Sequence, residues 1–238
     1  MKIDVKGAVK KITFWDFFLL YGVKRKIRER GIVYRNKTLF TDYNSKVLFI
    51  HIPKAAGMSI VDSLYGIEKS HHATALDYFN EDRKKFESCF SFAITRNPYL
   101  RLYSAFNYLK SGGMNIVDIA WYELYLSKYK NFEQFILDGG LELAISKNAE
   151  HFIPQYKFLF DNSNELLCDY VGKIENIEDV ESRVSKEINR NIVFSKKNVV
   201  NKNPMSIDSV YTHKMLEVVN KLYEKDFTML DYEYGCFN

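Results

Sequence analysis

Apolar residues first gather in VLFIHI, Val47 to Ile52, where four of six positions are β-branched or aromatic. This is the composition of a strand in a sheet covered on both faces. Pro53 denies the ladder its next donor and Lys54 follows, so the strand stops there. A helix follows, roughly Gly57 to Tyr65. The pattern repeats downstream. SFAIT ends at Thr95, then Arg96, Asn97 and Pro98 open an aromatic-rich helix running to Lys110, with proline near its first turn. From Gly112 to Asn148 the spacing of large residues is helical, and WYELYLSKYKNFEQFILDGG ends at Gly139 and Gly140. YKFLF through ELLCDYVGKI reads as two short strands around an Asn/Asp/Ser turn. ENIEDVESRVSKEIN is an amphipathic helix with Ile177, Val180 and Val184 on one face. A last helix starts near Ser206 and carries Val210, Met215, Val218, Val219 and Leu222, after a polar linker or binding loop, Asn198 to Pro204.

Two strand ends, each carrying a cation and each opening into a helix, predict a parallel sheet with a ligand across its carboxyl edge. At the first, Gly57 allows close backbone approach and the Ser59 hydroxyl lies where a helix still has unpaired amides. Lys54 adds a point charge, so the turn suits phosphate. The nucleoside-triphosphate loop needs its Gly before a Gly-Lys-Ser/Thr ending, and here Lys precedes Gly, which disfavours an ATPase of that type. At the second, Arg96 ends the strand and Ser104 follows eight residues later, a little over two helical turns. A ligand with two separated phosphate-like groups would use both ends.

Charge changes the picture at the N-terminus. Residues 1–46 hold 12 Lys or Arg against 4 acidic residues, a local +8, which leaves −4 for the rest. Within this region ITFWDFFLLYGVKRKIRER sets an aromatic and aliphatic patch beside a basic one. It reads either as a helix packed on the domain or as an interfacial helix on anionic lipid. No nucleic-acid recognition motif accompanies it. Cys89, Cys168 and Cys236 have no paired spacing, which suggests a reducing compartment and no metal motif. No run approaches about 18 apolar residues, and MKIDVKGAVKK lacks a signal-peptide core. These features predict a cytoplasmic protein, peripheral to the inner face of the membrane if the helix is interfacial. The expected division is a basic extension with an amphipathic helix, residues 1–45, and one domain, residues 46–238.

Ser70, His71 and His72 fall between the two cation blocks, and a histidine with near-neutral pKa can accept a hydroxyl proton. His151 and Gln155 are four residues apart, but Pro154 separates them and further metal ligands are not evident nearby.

IHIPKAAGMSI and ITRNPYLRLYSAF resemble the two signature blocks of sulfotransferases that use 3'-phosphoadenosine 5'-phosphosulfate, in particular the carbohydrate branch with the heparan uronyl, chondroitin and related bacterial enzymes. HFIPQYKFLF, DYVGKIENIEDV and LYEKDFTMLDYEY are also similar to that family, so the likeness runs from about Lys46 to Tyr234. The resemblance implies that Lys54, Ala55, Ala56, Gly57, Met58 and Ser59 form the 5'-phosphosulfate loop, with Arg96 and Ser104 on the 3'-phosphate. The usual first block has Thr where Met58 stands, which leaves that position only a backbone amide. It also implies a base among the histidines between the blocks, for which His72 is the better match and His71 the neighbour, with His151 and Gln155 at the site's border.

The expected protein is therefore a three-layer α/β domain with a mainly parallel central sheet and a P-loop-like phosphosulfate-binding loop. It would transfer a sulfuryl group from 3'-phosphoadenosine 5'-phosphosulfate to a hydroxyl of a polysaccharide or glycolipid, with Lys54 and His72 catalytic, no metal and no nucleic acid. The region from Gly112 to Asn148, with the SGGMN turn as a lid, is the expected acceptor side. An ATP-dependent small-molecule or sugar kinase, and a non-catalytic nucleotide- or glycan-binding protein, are the alternatives.

Overall fold

The computed structural model describes residues 2–5, 8–11, 14–30, 40, 46–67, 72–194 and 206–235. Three apolar segments form a small parallel sheet of order β3-β4-β5: β3 (Val47–Ile50), β4 (Phe90–Thr95) and β5 (Tyr170–Lys173). Val47 pairs with Phe90, and Phe92 with Tyr170. Side chains alternate across a strand, and here they feed two cores. Leu48, Ile50 and Ala93 pack on one face with Tyr78, Phe86 and Phe158; Val47, Phe49, Phe92 and Ile94 pack on the other with Ile60, Val61 and Val184.

Those partners come from helices α2 (Gly57–Tyr65), α3 (Ala75–Glu81), α4 (Arg83–Ser88) and α9 (Ile177–Ile188) and from a 3-10 turn at Gln155–Phe158. The sheet is thus covered on both faces, as its unbroken apolar runs require. The Tyr65 hydroxyl accepts from the Phe49 amide at 2.9 Å and donates to the Val47 carbonyl at 3.0 Å, which occupies the outer edge of β3 and removes a template for strand addition.

The chain is mostly helical. A third core joins α5 (Pro98–Lys110), α6 (Ile116–Trp121), α7 (Phe132–Leu137), α8 (Gly140–Ser146), α10 (His213–Leu222) and α11 (Glu224–Met229). A π-helical turn, Tyr122–Leu126, continues α6.

The N-terminal residues form a hairpin, β1 (Lys2–Val5) with β2 (Ala8–Lys11), and then α1 (Phe14–Arg30). Leu20 and Ile27 of α1 are buried in the helical core against α6, and Lys24 pairs with Glu123. Phe18, Leu19 and Tyr21 are exposed. The described helix therefore packs one face on the domain while leaving an apolar patch outside. None of the described helices is long and apolar enough to cross a membrane.

Three local expectations are corrected. The first strand ends at Ile50, and His51 and Ile52 already belong to the turn. YKFLF and ELLCDYVGKI give one strand, β5, plus a single antiparallel bridge between Phe160 and Leu166. The last long helix begins after Thr212, whose hydroxyl accepts from the Met215 amide, whereas Ile207–Ser209 is a separate 3-10 turn. Cys89 and Cys168 are buried free thiols; Cys236 and the Asn198–Pro204 loop lie outside the described residues.

Candidate active site

The turn after β3 is built from backbone that most side chains avoid. Lys54 and Ala56 both have left-handed φ, at 69° and 62°, costing roughly 1–2 kcal/mol each for a residue with a Cβ. The turn brings Ala56 to the start of α2, whose first turn has neither a side-chain cap nor an acidic residue. Amides at such an end carry partial positive charge and suit an oxyanion. Gly57 has a separate reason: a Cβ there would lie 1.8 Å from two atoms of the His51 ring. Ala55 and Ser59 are buried, Ala56 is half-buried and Met58 is exposed.

The second cation arrives at the same turn. Arg96 leaves β4 and its Nη1 donates to the Lys54 carbonyl at 3.3 Å. Burial lowers its pKa, while Glu175 acts in the opposite direction. Asn97 caps α5 by accepting from the amides of Tyr99 and Leu100, and Ser104 lies half-buried on that helix. Lys54 Nζ sits 3.8 Å from the centre of the Tyr108 ring, four residues beyond Ser104 and thus on the same side of α5.

Beside these cations stands a histidine cluster. The rings of His51 and His72 are 4.6 Å apart, and those of His72 and His151 are 5.9 Å apart. His51 and His151 are buried, and desolvation, followed by the neighbouring His72, holds both pKa values well below the usual imidazole value. Both are neutral at pH 7. His72 is partly exposed and its Nδ1 lies 3.1 Å from Glu150 Oε2. Among the described residues no group of His, Cys, Asp and Glu is arranged to hold a metal ion. His71 lies outside them.

A buried frame holds these parts together. Arg101, fully buried, donates from Nε to the Pro53 carbonyl at 3.0 Å and from Nη2 to the carbonyls of Ile153 at 2.9 Å and His151 at 3.4 Å. One guanidinium thereby ties the Pro53–Lys54 turn to the His151 loop; its Nη1 has no partner among the described residues. Gln155 acts as a bridge rather than reaching outward: its Oε1 accepts from the Arg96 amide and its Nε2 donates to the Arg96 carbonyl. Asp226 in turn accepts from the amides of Gln155 and Tyr156. Burial raises its carboxyl pKa to about 6, with Arg101 acting in the opposite direction.

The SGGMN turn is pinned. The Met114 amide and the Tyr108 hydroxyl both donate to Asp118, at 2.9 and 2.6 Å, and a Cβ on Gly113 would strike the Asp118 side chain. Burial, then the Asp118 bond, raises the Tyr108 pKa.

The two cation blocks therefore meet at the carboxyl ends of adjacent strands β3 and β4, with His72 and His151 alongside. Residues 37–233 match the model of the Sulfotransferase family. The chain belongs to the sulfotransferase family. No curated protein and no solved structure is significantly similar to it. As a sulfotransferase, it has sulfuryl transfer from 3'-phosphoadenosine 5'-phosphosulfate as its general activity. The donor chemistry of the site suits such a substrate: an uncapped helix end and two cations, one on each of two adjacent strand ends. Sequence reasoning missed His51, Tyr108, Glu150 and Arg101. Arg101 lies within a quoted block, but its role depends on carbonyls about 50 residues away in both directions.

Proposed function

We propose that this sulfotransferase modifies a hydroxyl of a carbohydrate, a polysaccharide or glycolipid. The observation that carries a hydroxyl acceptor is His72, a partly exposed imidazole 3.1 Å from Glu150 beside the Lys54 turn; the carbohydrate class rests on the likeness of the two signature blocks to the carbohydrate branch. An acceptor hydroxyl must lose a proton as it attacks sulfur, and a neutral imidazole serves that step. In the proposed reaction the acceptor oxygen forms the new O–S bond and its proton passes to His72. The bond from sulfur to the bridging phosphate oxygen breaks, and the electron pair leaves with 3'-phosphoadenosine 5'-phosphate.

Lys54 and the loop from Ala55 to Ser59 would orient the sulfonate and offset charge developing on the leaving oxygen. Arg96 and Ser104 would hold the 3'-phosphate as an anchor. His151 contributes a neutral wall to this site, and Gln155 fixes the arginine backbone. The basic, aromatic α1 supports a place for the enzyme at the cytoplasmic face of an anionic membrane, near lipid-linked glycans.

The test is transfer of labelled sulfate to the polysaccharides and glycolipids of the source cell. It is paired with calorimetry using 3'-phosphoadenosine 5'-phosphate and ATP. Tight binding of ATP alone would replace this reading with a kinase. Arg96→Ala should weaken 3'-phosphoadenosine 5'-phosphate by about 2 kcal/mol or more and adenosine 5'-phosphosulfate, which lacks the 3' group, much less. Equal losses would remove Arg96 from the 3'-phosphate.

A further inference from the structure

An imidazole that acts as a base needs one nitrogen free for the substrate and the other fixed. His72 stands just before the Thr74 cap of α3, where the Thr74 hydroxyl accepts from the Asp77 amide and the Asp77 carboxylate accepts from the Thr74 amide. Its backbone is thereby set by a rigid helix start. Across the site, Glu150 sits on a turn as firmly built: the Ala149 amide donates to Ala144, and the amides of Phe152 and Ile153 donate back to Ala149. Arg101 holds the carbonyls of His151 and Ile153, the first and third residues after Glu150. The two turns meet at His72, whose Nδ1 lies 3.1 Å from Glu150 Oε2 and whose ring stands 5.9 Å from that of His151, while the other carboxylate oxygen lies 3.9 Å from His151 Nδ1.

We infer that Glu150 is the positioning residue of His72, accepting its Nδ1–H so that Nε2 carries the lone pair offered to the acceptor hydroxyl. The inference rests on the reading of His72 as base. After proton transfer the imidazolium would have His51, His151, Lys54 and Arg101 nearby, all neutral or positive, with Tyr108 and Asp118 further along the same wall. The Glu150 carboxylate is the group in direct contact that compensates the new charge. This division of labour, a base and a carboxylate that orients it, depends on geometry rather than on chain order.

The experiment compares Glu150→Gln, Glu150→Asp, His72→Ala and the double variant by single-turnover sulfuryl transfer across pH. Melting behaviour and calorimetry with 3'-phosphoadenosine 5'-phosphate accompany the kinetics. Glu150→Gln should lower the chemical rate on the order of 10²-fold and leave nucleotide binding within a few-fold. Glu150→Asp should recover part of the rate. In the His72→Ala background, Glu150→Gln should cost little more. Nitrogen-15 chemical shifts of the wild-type enzyme should show His72 protonated at Nδ1, a readout that does not depend on any variant folding.

An unchanged rate in a folded Glu150→Gln enzyme, or His72 protonated at Nε2 in the wild type, would overturn the inference while leaving His72 as base. A Glu150→Gln loss much larger than that of His72→Ala would overturn it by making Glu150 the base. Normal chemistry in His72→Ala would remove the base itself, and the inference with it.

Discussion

Replacing Arg101 with Met should separate the frame of the site from its chemistry. The guanidinium has no exposed surface and bridges three carbonyls, two of them at 3.0 Å or less. Hydrogen bonds from a charged group contribute about 1.5–3 kcal/mol each, while the desolvation of the cation, already visible in the lowering of its pKa by burial, opposes them. Methionine restores part of the volume without the donors. The net loss should be about 3–5 kcal/mol, the range for breaking one side of a buried charged contact. That is a large part of the roughly 5–15 kcal/mol that stabilises a domain. Urea unfolding followed by fluorescence measures it, with an unchanged slope as the check that the denatured state is the same. Arg101→Lys should fall between, since one ammonium cannot span Pro53 and Ile153 together. A loss below about 1 kcal/mol for Arg101→Met, at unchanged slope, would refute the assignment of the turn's position to this side chain.

Three further outcomes follow from other contacts. Gly57→Ala should cost about 1–3 kcal/mol by overpacking and slow transfer, because the methyl displaces the His51 ring, which packs on that of His72; unchanged melting and rate would show that the His51 ring moves freely. Asp226 has a folded pKa near 6 against an ordinary value of 3.8, so the folded state binds more protons and this group's contribution is full below about pH 4 and lost as pH rises through 6. The stability difference between wild type and Asp226→Asn should therefore shift against wild type by roughly 2 kcal/mol between pH 4 and 7, and parallel curves would disprove it. Replacing Phe18, Leu19 and Tyr21 with Ser should reduce salt-sensitive binding to anionic vesicles while sparing turnover of a soluble acceptor; undiminished binding would sink the membrane contact.

What could be read in the sequence was local. VLFI and SFAIT are apolar enough to declare a covered parallel sheet, and Pro53 and Asn97-Pro98 mark where the chain turns. YKFLF misled because aromatic residues favour strands, yet the amides of Gln155 and Tyr156 are taken by Asp226 and bend the segment into a 3-10 turn. Ser206 offered a stronger helix-start pattern than Thr212, but a 3-10 turn intervenes and Thr212 caps through Met215 rather than an acidic partner. Glu150 and Tyr108 carry no local signal at all. One is a carboxylate in a loop and the other an aromatic in an aromatic helix, and only the closing of the fold sets them against His72 and Lys54.

The link from Arg96 to Gln155 to Asp226 has a bearing on when the site can form. Gln155 is 59 residues after Arg96, and Asp226 a further 71. A chain emerging from the ribosome makes its signature blocks early and its last clamp late. Until α11 has left the exit tunnel, Gln155 lacks the carboxylate that accepts its backbone amide, and the Arg96 backbone is held on one side only. A nascent chain holding both signature blocks would thus still lack the carboxylate that closes this link, and a premature stop shortly before Asp226 would leave the link open.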